Sequence, residues 1–223
     1  MFRSIVPVSL ALIVGAAAIT VGNRGHATAA VVVPAPESAS ALAAAPTVDT
    51  AVFAGGCFWG IEAVFEHIKG VQSAVSGYAG GTTTSPSYED VSSGTTGHAE
   101  SVQVVYDPSV VSYGQLLQVF FSVAHDPTEL NRQGPDHGTQ YRSAIFYRTK
   151  AQETAAEGYV KQLTAAKTFS KPIVTQIVPL SAFYRAEDYH QDYMAHHPTQ
   201  PYIVYNDAPK VEQLKEHFPQ LYR

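Results

Sequence analysis

Apolar residues change their spacing several times along this 223-residue chain, and each change predicts an element. Ala51 to Ala54 is a short apolar run that reads as a strand. Phe58, Ile61, Val64, Phe65 and Ile68 then recur at helical spacing, an amphipathic helix. Between the two, Gly55 and Gly56 turn the chain with no Cβ in the way. Val71 to Val75 alternates like a half-buried strand and leads into Gly77-Tyr78. Tyr88 to Val91 predicts a short helical turn, and Val102, Val104 and Tyr106 alternate as a strand closed by Asp107-Pro108. Ser112 can cap a helix carrying Leu116, Leu117, Phe120 and Val123 that ends near Ala124. From His125 to Gln140, Pro127, Gly134, Pro135 and Gly138 forbid regular structure. Tyr141 to Tyr147 resumes a strand pattern, a helix follows to Leu163, and Ile173 to Val178 reads as another strand. Glu187 to Tyr193 has helical potential, and Lys210 to Phe218 predicts a short C-terminal helix. The early order is β-α-β-β-α-β, the split βαβ or ferredoxin-like pattern. It predicts an α+β fold: a two-layer core, an antiparallel or mixed sheet with helices on one face, additional loops and a C-terminal helix.

The first 49 residues have a different texture. Arg3 precedes an apolar stretch, and Leu10 to Val21 carries no charge. Arg24, His26 and then Ala27-Thr28-Ala29 follow. A basic start, an apolar middle and an A-x-A site describe a secretory signal over residues 1–29, cut after Ala29. The expected location is therefore periplasmic or extracellular. The alternative is an uncleaved membrane anchor over residues 5–21, about long enough to span a bilayer. Residues 30–49 are Ala-, Pro- and Ser-rich with little periodicity, which predicts a flexible linker. Residues 50–223 then suit one domain with a sizeable core.

Composition narrows the function. The formal charge is −5; losing residues 1–29 removes Arg3, Arg24 and no acid, leaving −7. Nothing resembles a basic stripe, so no nucleic-acid partner is expected. Cys57 is the only cysteine, so an exported chain of this kind makes no internal disulfide. A thiol at the start of a helix meets free N–H groups and the positive end of the dipole, which favour the thiolate. An exposed thiol there is also open to overoxidation when reductant is scarce. The alternative is a small buried hydrophobe, the usual fate of a free cysteine. Glu100 opens an otherwise apolar strand. Against Phe58 and Trp59 it would be desolvated and become a proton donor near neutral pH; otherwise it is a solvated carboxylate at a strand end. His125 with Asp126, Asp136 with His137, and His196-His197 supply metal-ligand residue types, but none at H-E-x-x-H or paired-cysteine spacing, so no metal is expected. A Cys–His hydrolase and a non-catalytic peptide-binding module remain open at this point.

Several segments resemble the peptide methionine sulfoxide reductase A family. They are Gly55-Gly56-Cys57-Phe58-Trp59-Gly60, Gly77-Tyr78-Ala79-Gly80-Gly81, and Thr96-Gly97-His98-Ala99-Glu100 running into Tyr106-Asp107-Pro108. His125-Asp126-Pro127-Thr128, Asn131-Arg132-Gln133-Gly134, Asp136 to Ser143 and Tyr189-His190-Gln191 follow in the family's order. The resemblance implies an oxidoreductase that repairs methionine S-sulfoxide, free or in oxidised proteins and peptides, each epimer having its own enzyme. It implies that Cys57 attacks the sulfoxide sulfur and becomes a sulfenic acid, and that Glu100 protonates the oxygen. It implies further that Phe58 and Trp59 hold the methyl group, that Tyr88 and Tyr141 hydrogen-bond the oxygen, and that Asp136 belongs to the same polar site. Many relatives carry further cysteines near the C-terminus, whereas Ala208 to Arg223 has none. This single-cysteine chain is expected to act as a monomer without a bound cofactor. An external thiol would regenerate it: thioredoxin, glutaredoxin with glutathione, or dithiothreitol.

Overall fold

A computed structural model describes residues 30–38, 41–45 and 47–223. The expected signal or anchor, residues 1–29, lies outside the described residues. Among the described residues no helix is long and apolar enough to cross a membrane.

Strand β1 (Asp49–Ala54) is followed by helix α1 (Phe58–Glu66), strand β2 (Val71–Ala79), helix α2 (Tyr88–Ser92) and strand β3 (Ala99–Tyr106). Helix α3 (Tyr113–Val119) runs directly into a wider π turn, Phe120–Ala124. Two-residue strands β4 (Arg132–Gln133) and β5 (Asp136–His137) pair with each other. So the 125–140 loop, for all its breakers, closes on a small ladder. A 3-10 turn, Thr139–Tyr141, leads to β6 (Ala144–Tyr147), helix α4 (Lys150–Ala165), β7 (Gln176–Pro179) and β8 (Phe183–Arg185). The chain ends with a 3-10 turn, Asp188–His190, helix α5 (Tyr193–His196), a π turn, Ile203–Asp207, and helix α6 (Ala208–His217).

Six strands form a mixed sheet in the order β7-β6-β1-β3-β2-β8. Only the β6–β7 pair is parallel. The alternation in β1 sorts its two faces. Ala51 and Phe53 point into the main core with Val102, Val104 and Ile145, where α1, α3, α4 and α6 deliver Ile61, Phe65, Leu116, Tyr159 and Leu214. Val52 and Ala54 face the other way, into a small cluster with Ala79, Ala99, Ala144 and Phe146 that no helix enters. Phe53 stacks between Phe65 of α1 and Phe120, at 5.0 and 4.9 Å. Helix starts follow the expected chemistry: Ser112 accepts from the Gln115 N–H while the Gln115 side chain accepts from the Ser112 N–H, a reciprocal cap.

The 30–49 stretch, read as a flexible linker, has no regular structure between Ala30 and Glu37 but is not free of the domain. Val33 is buried; its N–H donates to Ser122 Oγ (3.2 Å) and its carbonyl accepts from the Gln118 amide (3.0 Å). The Gln162 side chain on α4 binds the Ala35 carbonyl and the Glu37 N–H, both at 2.9 Å. The lack of periodicity and of large side chains hid this docking, because side chains of the domain satisfy the strap's backbone in place of a ladder. The other end of the chain is pinned too. The Lys69 N–H donates to the Leu221 carbonyl (2.7 Å), and the Arg223 N–H to the His67 carbonyl (2.9 Å).

Candidate active site

The turn between β1 and α1 is set by what packs against it. A Cβ on Gly55 would lie 2.7 Å from Cγ of His125, and one on Gly56 2.6 Å from Cβ of Gln133. Gly56 also has φ +99, a backbone conformation that side chains resist. Both packing neighbours are anchored. His125 donates from Nδ1 to the Phe120 carbonyl (3.0 Å) and accepts at Nε2 from Ser143 (2.7 Å). Burial pushes its pKa down to about 4, so it is neutral. Gln133 grips the Asp126 backbone through both ends of its amide.

The turn delivers Cys57 to the N-cap of α1. This agrees with a helix-terminal thiol but not with an exposed one: Cys57 is 8% exposed. Burial, then the charges of Glu100 and Asp207, push the thiol well above its ordinary range. The backbone N–H of Trp59 pulls the other way, although no side-chain cap bond closes. The helix terminus alone therefore does not hold a resting thiolate here.

Glu100 reaches the same place from β3. Phe53 pairs with Val102 across the β1–β3 ladder, so Glu100, two residues earlier, lies on the helix-facing side beyond the end of β1. It is 2% exposed, and its Oε2 accepts from the Phe58 N–H (3.1 Å), the first free N–H of α1. Burial raises its pKa to about 8; the Phe58 N–H opposes this, and Asp136 and Asp207 add to it. Glu100 is therefore a buried, protonated acid at neutral pH, not the solvated strand-end carboxylate.

The other expected residues converge on this pair. Tyr88 on α2 and Tyr141 at the end of the 3-10 turn are half-buried, and burial raises both phenols. Both also feel the charges of Glu100, Asp136 and Cys57. Asp136 on β5 has its pKa raised by burial, while the Tyr202 hydroxyl, donating to Oδ2, opposes the rise. Phe58 is buried against Tyr78 (5.9 Å) and His190 (4.9 Å). Trp59 is half-buried, stacked on Tyr193 at 3.8 Å and edge-on to Tyr202 at 5.9 Å. Its indole N–H donates to His190 Nδ1 (3.2 Å).

Several of these partners were not singled out from the sequence. His190 lies within the matching Tyr189-His190-Gln191 segment, but its burial and its bond to Trp59 give no sequence signal. Tyr202 and Asp207 come from the far C-terminal region. Asp207 is fully buried, paired to Lys210 (3.1 Å), and fills the space left by the missing Cβ of Gly60. Among the described residues no group of three or more His, Cys, Asp or Glu side chains is arranged to hold a metal ion.

The site thus gathers a thiol at a helix N-cap, a buried carboxyl, two half-buried phenols and a cluster of aromatic rings. The model of the family described as peptide methionine sulfoxide reductase matches residues 49–222. The chain belongs to the peptide methionine sulfoxide reductase A family. It is 60% identical over 179 residues to peptide methionine sulfoxide reductase MsrA 2 of Mesorhizobium japonicum, covering 80% of this chain and 92% of that protein. Identity to the MsrA of Natronomonas pharaonis is 52% over 169 residues, 76% of this chain and 94% of that one. Reduced Mxr1 from Saccharomyces cerevisiae has a similar structure, with TM-score 0.63 and 34% identity over 73% of this chain and 92% of Mxr1. Methionine sulfoxide reductase A of Corynebacterium diphtheriae gives TM-score 0.59 and 35% identity over 79% and 89%. This reductase is thus an oxidoreductase of the class that reduces methionine sulfoxide.

Proposed function

We propose that the reductase acts on methionine S-sulfoxide, free or in oxidised proteins, through a sulfenic acid on Cys57 that an external thiol returns to the thiol. The observation that carries this is Glu100, buried, protonated near neutral pH and bonded to the helix turn that presents Cys57. Sulfoxide oxygen is a poor leaving group until it is protonated. Glu100 supplies that proton, and the Tyr88 and Tyr141 hydroxyls stabilise the charge that develops on oxygen. A neutral Glu100 also removes one of the charges that hold the thiol proton in place, so the acid and the nucleophile are poised together. Cys57 Sγ bonds to the sulfoxide sulfur as the protonated oxygen leaves as water. A water molecule then adds to Sγ as the new S–S bond breaks, which leaves Cys57 as S–OH and releases methionine with its sulfur reduced by two electrons. Phe58 and Trp59 receive the methyl group, and Asp136, held by Tyr202, borders the same site. The central β6-β1-β3-β2 strands, antiparallel and joined as β-α-β-β-α-β, support a ferredoxin-like reading of the core.

The test is conversion of dabsylated methionine S-sulfoxide to the sulfide with dithiothreitol, by wild type and Cys57→Ser. Serine hydroxyl is a far poorer nucleophile of nearly the same size, so the variant should fold and form no sulfide. Substantial turnover by the variant would remove Cys57 from the mechanism, and preference for the R epimer would reverse the specificity.

A further inference from the structure

Glu62 follows Trp59 by three residues on α1, so the two are neighbours on one face of the helix. At 2% exposed, Glu62 is buried to a degree that a carboxylate accepts only with partners. Those partners are main-chain N–H groups from two distant segments. Oε1 accepts from Ser76 on β2, and Oε2 accepts from Asp192, both at 3.1 Å. The Ser76 N–H has a second acceptor in Gln191 Oε1 (3.1 Å), whose amide nitrogen donates to the Ser76 and Ala186 carbonyls at 3.1 and 3.0 Å. Asp192 stands at φ +52, a left-handed conformation that a residue other than glycine seldom adopts. Tyr193 comes next, opens α5 and stacks on Trp59 at 3.8 Å with 8° between the ring planes.

We propose that Glu62 is a positioning residue for the wall of the sulfoxide site: through the Asp192 N–H it fixes the turn into α5 and so sets Tyr193 flat against the indole of Trp59. The inference rests on the reading above that Trp59 receives the substrate methyl group. Helix α5 is four residues long and has no buried residue, so neither its length nor burial holds it in place. Its place comes from what its first turn is tied to. A carboxylate that served only to join α1 to β2 would need one oxygen, and Ser76 already has Gln191 as an acceptor. The second oxygen of Glu62 serves Asp192. Burial raises the Glu62 pKa to about 7, and the bonds from Ser76 and Asp192 oppose the rise.

Trp59 is thereby held at two points, its N–H on His190 Nδ1 (3.2 Å) and its face on Tyr193. Alanine at position 62 removes the acceptor of the Asp192 N–H and frees the left-handed turn, while Ser76 keeps Gln191. Tyr193 then leaves the indole, and the ring loses one of its two constraints. A wall that holds a methyl group does so equally before and during the reaction. Its loss therefore weakens substrate binding and leaves the chemical step nearly as fast.

Trp59 is the only tryptophan, so its fluorescence reports on this wall with no substrate present. Wild type, Glu62→Ala, Tyr193→Ala and the double variant, each as the full chain at pH 8, are compared in Trp59 emission and in single-turnover rate against methionine sulfoxide concentration. Glu62→Ala should shift the emission to the red. It should raise the half-saturating sulfoxide concentration about fourfold, the worth of one buried methyl group, with the saturating rate within about twofold of wild type. Because Glu62 acts through Tyr193, its removal should add nothing to Tyr193→Ala in either measurement. Additive effects, or wild-type emission from Glu62→Ala, would overturn the proposal. If Glu62→Ala does not fold, Glu62→Gln goes through the same cycle; it keeps one acceptor oxygen, and the half-saturating concentration should rise about twofold. A coupled shift in emission with unmoved half-saturation in every variant would uphold the role of Glu62 and sink only the assignment of the methyl group to Trp59.

Discussion

Glu100→Gln tests the protonated acid through stability, independently of turnover. Glu100 titrates at about 8 in the folded chain against an ordinary value of 4.5. Between those values the folded chain holds a proton that the unfolded chain has lost. Stability therefore falls as pH rises, by up to about 1.4 kcal/mol per unit, and levels off above the folded pKa. Over pH 6 to 8 the loss comes to about 2 kcal/mol. Glutamine keeps the shape, still accepts from the Phe58 N–H, and has nothing to titrate. The neutral isostere should match the wild type only below about pH 4.5, so at pH 6 the variant should already be the more stable by about 2 kcal/mol. At pH 8 the gap should widen to about 4 kcal/mol, which for a domain of this size is roughly 8–16 °C in Tm. Glu62 and Glu66, raised by burial to about 7 and about 8, are present in both proteins and cancel in the comparison. Thermal or urea unfolding of both chains at pH 6, 7 and 8 gives the answer. Parallel pH dependences would show that Glu100 is not held protonated, and the reasoning about the acid would fall with it.

Three further outcomes are expected. Glu100→Gln should slow single turnover by roughly 10²–10⁴-fold with little change in sulfoxide binding, and the wild-type alkaline limb near pH 8 should vanish in it. Gly56→Ala forces a side chain into φ +99 and against Gln133, whose amide is tied to Asp126; urea unfolding should show a loss of about 2–4 kcal/mol. Tyr202→Phe removes the donor that holds the Asp136 pKa down, so carbon-detected NMR should find that carboxyl titrating at higher pH than in wild type.

The core of this site was legible because it is local. A strand, two glycines and a 3.6-residue apolar period lead to a thiol at a helix N-cap, and β1 and α1 lie where the spacing puts them. Alternation in β3 placed Glu100 at the end of an apolar strand, and the ladder to β1 supplied the burial that decided its state. What the pattern did not carry is contact across long separations. His190 meets Trp59 from 131 positions away, and Tyr202 meets Asp136 from 66. Neither has a periodicity of its own. Strand β8 is three residues long and pairs in the sheet with β2 alone, too short for an alternation to register. The depth of Cys57 was also hidden. Helix position argued for a thiolate, while burial first, and then the nearby Asp207, both brought in by tertiary structure, act against it.

The central claim is that a single thiol ends the turnover as a sulfenic acid. Reduced protein, freed of all reductant, is mixed with excess methionine sulfoxide, and methionine is quantified by chromatography beside intact mass. One cysteine per chain sets the expected yield at about one methionine per protein, with a mass gain of one oxygen that dimedone traps as a sulfenic acid adduct. Two methionines per chain, or one methionine with no oxygen on Cys57, would contradict the account.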